Sequence, residues 1–180
     1  MSFNSPDVSS YKKELDNSIV AVSELKLSSH STIKIQSLLN VTIYVLATRF
    51  LEGSVKHIVY NCCKLRGDSK SNLKLLSDKL KAFNNPMFEN IRGLIKEQLN
   101  YDIIEGIKNK YYTEKDITLL NQIVQNRLDN THATEDAGRW YSANRKDLDD
   151  FKKEYEGLLN VVVFIDCLNW DDSSKSFIKK

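Results

Sequence analysis

The chain has 180 residues, with 26 Lys and Arg against 24 Asp and Glu and a formal net charge of +2. That length holds one domain with a full core, and so even a balance means that any nucleic acid must be gripped by a local patch. Two prolines, six glycines and the lack of strand-like alternation bounded by turns argue against a β-rich fold and point to an all-α protein.

Further exclusions come from particular residues. Cys62, Cys63 and Cys167 contain no Cys-x-x-Cys pair and have no matching histidine spacing, which argues against a zinc site or a disulfide framework and fits a reducing cytosol. Met1-Ser2-Phe3-Asn4-Ser5-Pro6 lacks the basic and apolar regions of a signal peptide. The longest apolar run, Leu38 to Leu51, is broken by Asn40, Thr42, Thr48 and Arg49 and falls short of the ~20 residues a bilayer requires. It reads as a buried helix in a cytoplasmic protein, with no membrane contact, no metal and no cofactor.

Along the chain, Tyr11, Leu15, Ile19, Val22 and Leu25 recur by three or four and predict a surface helix from about Val8 to Leu27. Ser28-Ser29-His30-Ser31 breaks it, with His30 as a turn residue. A long helix then runs from about Thr32 to Leu65, apolar nearly all round in its middle and therefore central in a bundle. One stripe along it reads Ile35, Leu38, Thr42, Val45, Arg49, Glu52, Lys56. This core-facing line turns charged halfway, so its three charges either form a ladder or line a cleft. His57 lies off the stripe and reads as structural.

Between Lys64 and Lys81 six basic residues (Lys64, Arg66, Lys70, Lys74, Lys79, Lys81) face Asp68 and Asp78. The excess reads either as a phosphate-backbone footprint or as the solvated face of a short helix over Ser71 to Phe83. Asn84-Asn85-Pro86 ends that helix, and Pro86 suits the first turn of the next, about Met87 to Asn100. Tyr101 to Thr113 has no clean period and reads as a connection, where Tyr111 and Tyr112 beside Lys108 and Lys110 either stack on bases or cap the core.

Thr113-Glu114-Lys115-Asp116, ahead of Ile117, Leu120, Ile123 and Val124, is the pattern of a capped helix starting near Glu114. It delivers Arg127, Asn130 and His132 near its C-terminal end. Five residues of separation bring Arg127 and His132 together only where the helix loosens, and Asn130 and Thr131 are weak helix formers. A cation there is favoured by the helix dipole by up to ~2 kcal/mol, which suits an imidazole to acid–base work near neutrality. After Ala133 to Ala143, which carries Arg139, Trp140 and Tyr141, Asn144 with Asp147 signals a last helix bearing Leu148, Phe151, Tyr155, Leu158, Val162 and Ile165. Asp171 to Lys180 reads as a polar, frayed tail, leaving residues 1–170 as a single helical domain. No repeat, phosphate loop, nucleotide-binding glycine pattern or metal-ligand cluster is present.

Arg127-x-x-x-x-His132 at the end of a helix, in an all-helical chain of this size, resembles the signature of the HEPN superfamily (higher eukaryotes and prokaryotes nucleotide-binding). Phe50-Leu51-Glu52-Gly53-Ser54-Val55-Lys56 is similar to the Glu-Gly segment on an earlier long helix in small bacterial HEPN families. The resemblance spans roughly Thr32 to Ile165 and implies a bundle with two long central helices and shorter flanking ones. Many members are metal-independent ribonucleases of toxin–antitoxin and antiviral systems, commonly dimers whose arginine and histidine meet the partner's pair.

Carried over, the resemblance gives Arg127 the scissile phosphate, His132 the proton transfer and Glu52 a supporting role. The implied partners are RNA, a second copy of the chain and an antitoxin or other protein. Where many members have asparagine after the arginine and glycine after the histidine, this chain has Leu128 and Ala133, and Asn130 supplies the amide. Arg49, Lys56, Lys64, Arg66 and Arg139 are the cations expected to hold RNA. The chemistry agrees: cleavage through the 2′-hydroxyl needs a base, an acid and a cation on the phosphorane. One histidine per chain supplies one of the first two, so two chains supply both. Lack of a carboxylate cluster with metal spacing favours metal-free cleavage. The alternative is a non-catalytic helical module for dimerisation, partner-protein binding or RNA binding.

Overall fold

The computed structural model describes residues 2–24, 30–131 and 148–179, with the backbone alone over 30–38 and 129–131. The helices in chain order are α1 (Pro6–Glu24), α2 (His30–Leu65), α3 (Lys70–Ala82), α4 (Phe88–Leu99), α5 (Glu105–Lys108), α6 (Glu114–Thr131) and α7 (Leu148–Asp166). Strands β1 (Leu168–Asp171) and β2 (Ser176–Lys179) follow. The fold is all-α.

Local chemistry sets the helix ends. Pro6 opens α1 at the position where its missing N–H costs nothing. Ser69 caps α3, its Oγ accepting from Asn72 N at 3.2 Å, and α4 stops where Asn100 turns left-handed at φ 53°. At the α2–α3 turn Gly67 adopts φ 88°, which L side chains disfavour.

α2 is the axis of the bundle, packed by α1, α3, α4, α6, α7 and β1. α1 runs antiparallel to it, with Asp7 beside His57 and Leu15 and Ser18 lining a groove with Leu46 and Arg49. α7 runs parallel to it: Tyr44 meets Phe151 edge-on at 5.1 Å near one end, and Cys62 lies against the Leu168 carbonyl at the other. α6 and α7 are antiparallel, Asp116 opposite Asn160 and Leu119 against Gly157. Leu51, Val55, Ile91, Ile95, Leu120, Ile123, Leu158 and Val162 are buried between these helices, each such side chain contributing roughly 1.5–3 kcal/mol.

Four features differ from the sequence reading. The line of Thr42, Val45, Arg49, Glu52 and Lys56 is not core-facing: Thr42 and Arg49 are exposed and Val45, Glu52 and Lys56 half-buried. The buried face of α2 lies round the helix at Ile43, Ala47, Phe50, Leu51, Ser54, Val55 and Ile58, so the charges stay near water where they cost little. His30, expected in a turn, is the first helical residue of α2, and the expected connection over 101–113 contains the single turn α5.

The expected frayed tail is instead half of a hairpin, Leu168 paired with Lys179 and Trp170 with Phe177. Phe177 is buried and packs on Trp170 at 5.1 Å. Asp171 Oδ2 accepts from Ser174 N and Oγ, which shapes the turn.

Candidate functional site

α6 is fixed at its start by the reciprocal cap that its sequence predicts. Thr113 N donates to Asp116 Oδ2 at 2.7 Å, and Asp116 N donates to Thr113 Oγ1 at 3.2 Å. Asp116 Oδ1 accepts from Asn160 Nδ2 at 3.0 Å, so the cap also fastens α6 to α7. The helix holds its hydrogen-bonded geometry through Thr131. Asn130 and Thr131, where loosening was expected, are therefore both helical, and His132 lies outside the described residues.

Arg127 is half-buried, and its Nη1 donates to the Asn84 carbonyl at 3.0 Å. Asn84 belongs to the turn between α3 and α4. Six residues earlier on α6, Asn121 Oδ1 accepts from Phe88 N at 2.9 Å, supplying the cap that α4 lacks from Met87. The α3–α4 turn is thus pinned to α6 at both ends. The guanidinium, always charged, is held beside that turn by its bond to the Asn84 carbonyl.

The other expected site residues fall into separate groups. Of the three charges expected to form a ladder or line a cleft, Glu52 and Lys56 pair on the outer face of α2 at 2.6 Å, and Arg49 is not in that pair. Arg49, one turn earlier, lines an α1–α2 groove of about 330 Å³ with Tyr11, Glu14, Ser18 and Phe50. Arg66 makes a bidentate pair with Asp68 at 2.7 and 2.6 Å and donates to the Gln98 carbonyl at 2.7 Å. Those bonds hold the Asp68 carboxyl below its ordinary range. Lys64 is exposed on the rim of a neighbouring cleft. Arg49 and Arg66 stand about 25 Å apart along α2 at 1.5 Å per residue, so these cations do not form one cluster. His132 and Arg139 lie outside the described residues, as does the side chain of Asn130.

Tyr112, one of the two tyrosines read as base-stacking or core-capping, caps the core. It is buried, and its hydroxyl donates to the Ile103 carbonyl, burial pushing that hydroxyl above its ordinary range. Tyr111 lies over Phe164 at 5.4 Å, with Lys179 Nζ 3.1 Å from its ring centre.

Sequence reasoning missed the cleft of about 560 Å³ where Asn4 to Asp7, the end of α2, Asp166 and Leu168 meet. There His57 Nε2 lies 3.1 Å from Asp7 Oδ2 and 2.6 Å from Asn61 Nδ2, while Asp166 Oδ2 accepts the Ser5 N–H at 3.0 Å. The one legible signal was the four-residue step from His57 to Asn61. The contacts with Asp7 and Asp166 span distant parts of the chain.

Among the described residues no group of three or more His, Cys, Asp and Glu is placed to hold a metal ion. No helix is long and apolar enough to cross a membrane. No family model, curated protein or solved structure matches the chain.

Proposed function

We propose that the chain is a metal-independent endoribonuclease of HEPN type, acting in the cytoplasm as a homodimer with a composite Arg/His site. Arg127 clamps the scissile phosphate and stabilises the charge that builds on it during attack. His132 takes the 2′-hydroxyl proton in one protomer and protonates the leaving 5′-oxygen in the other. The products are a 2′,3′-cyclic phosphate and a free 5′-hydroxyl, and no atom is left unaccounted for. Asn130 provides an amide to the phosphate, and Glu52 is the supporting group on α2. A neutralising protein partner, as in toxin–antitoxin or phage-defence systems, belongs to the same proposal.

The observation that carries this reading is the fixed position of Arg127 in the final turns of α6, five residues before His132 in the sequence. Its test is purified protein incubated with RNA in excess chelator, the termini of the products read by mass spectrometry. Cyclic phosphates should form, Arg127→Ala should lower kcat by roughly 10²–10³-fold, as for loss of one transition-state donor, and His132→Ala should abolish the product. Cleavage that survives in the His132 variant, or that requires a divalent ion, overturns the assignment.

The bond from Arg127 to a backbone carbonyl favours a second reading, in which the residue is a clamp between α6 and the α3–α4 turn in a non-catalytic module that binds RNA or a protein. Arg127→Ala would then lower the melting temperature, and the wild-type protein would leave RNA uncut.

A further inference from the structure

We propose that one face of α3 is a track for the phosphate backbone of single-stranded RNA, leading along the helix toward Arg127. The inference rests on the ribonuclease reading for the fate of that RNA, and on the geometry of α3 for its binding.

Lys70, Lys74 and Lys81 follow one another by four and seven residues, steps that keep side chains on one face of a helix. All three are exposed, whereas Leu76 and Leu80 on the opposite face are buried. From Lys70 to Ala82 the helix carries four lysines against the single Asp78, a local charge of +3. Several lysines on other helices are held in ion pairs within their own helix: Lys12 with Asp16, Lys108 with Glu105, Lys152 with Asp149 and Lys153 with Asp150. On α3 Lys79 pairs with Glu97 of α4 and Lys81 with Asp78, while Lys70 and Lys74 form no ion pair among the described residues.

The direction comes from the chain itself. Lys81 stands three residues before Asn84, whose carbonyl holds the Arg127 guanidinium. Lys70, Lys74 and Lys81 therefore set a line of cations that points from the start of α3 toward Arg127 near the end of α6. At 13 residues the helix offers a face about 20 Å long and one helix wide, enough for a few successive phosphates. A face of that width suits a single strand better than the paired strands of a duplex. Flexible lysines bind such a strand through phosphate charge and released counterions, without reading its sequence.

The test measures binding of a fluorescent 2′-O-methyl oligoribonucleotide, single-stranded and resistant to cleavage through its 2′ position, by anisotropy over a series of salt concentrations. Full-length protein is compared with Lys70→Glu/Lys74→Glu and with a charge-matched control, Lys152→Glu/Lys153→Glu on α7. Circular dichroism checks that both variants keep their helices. The α3 variant should bind roughly tenfold more weakly near 0.1 M salt. Its slope of log affinity against log salt should fall by about 1.4, about 0.7 for each lost phosphate contact on a single strand. The control should bind as wild type.

The track is overturned by any of four results: wild-type protein that does not bind the strand, an α3 variant that binds like wild type, an equal loss in the control, or equal affinity for the duplex form. Binding that depends on α3 while unmodified RNA stays intact supports the track and removes the ribonuclease. Cleavage that is indifferent to the α3 charges does the reverse.

Discussion

Arg92 and Asp102 show how one pair of side chains writes a pH dependence into this fold. Asp102 accepts from Arg92 Nε and Nη2 at 2.7 and 2.9 Å and from Ile104 N at 3.2 Å. The Arg92 hydrogen bonds, more than the other contacts, draw its carboxyl down to about 2. An unfolded aspartate titrates near ~3.9, so the pair's contribution is complete above about pH 4 and disappears as pH falls toward 2. Asp102→Asn should therefore melt a few degrees lower than wild type at neutral pH and converge with it near pH 2. A gap of constant size across that range would refute the account. Cys62 titrates in the opposite sense, burial pushing its thiol up to about 12. A thiol reagent at pH 8 should label half-buried Cys167 first and reach Cys62 and Cys63 only on unfolding, as peptide mapping would show. At this scale the sequence discloses partners that share a helix, such as Glu52 with Lys56, because helical spacing is local. It conceals the acceptor of Arg127, since a backbone carbonyl 43 residues away has no side-chain signature.

α6 and α7 carry the sharpest expectations among the elements. Thr113→Ala removes one half of the reciprocal cap and should cost ~1 kcal/mol, measurable by urea denaturation. Gly157 lets α7 approach α6 closely: a Cβ there would lie 2.8 Å from Leu119 Cβ and 3.1 Å from Asp116 Cα, which is backbone. Gly157→Ala should destabilise by about 1–3 kcal/mol despite its better helix propensity. A gain in stability would show that the two helices separate without loss. Helices of three turns or more were legible because apolar residues repeat along them and caps mark their ends. The four-residue α5, β1 and β2 offer too few periods to read. The buried face of α2 was misplaced for a related reason. It includes Ala47, Thr48 and Ser54, small or polar residues that a search for large apolar side chains passes over.

For the whole molecule, the all-α class and the central place of the long helix followed from composition and from its apolar breadth. Which helices neighbour which did not follow, because tertiary pairing depends on shape matches such as Gly157 with Leu119 that single-sequence periodicity does not encode. The candidate site was legible to a similar depth. The helix that carries Arg127 and its cap could be read in advance, while the strap from Asn84 to Phe88 that steadies it emerged only once α3, α4 and α6 were set together.

The contact of Asn4 and Ser5 with Asp166 joins positions more than 160 residues apart. During synthesis, at ~5–20 residues per second, α1 and α2 emerge well before the helix that completes their shared surface. For several seconds a nascent hairpin of two helices presents Phe50, Leu51 and Val55 to its surroundings. That interval makes the growing polypeptide a candidate client for ribosome-associated chaperones, until the carboxylate of Asp166 arrives and fastens the amino-terminal strap.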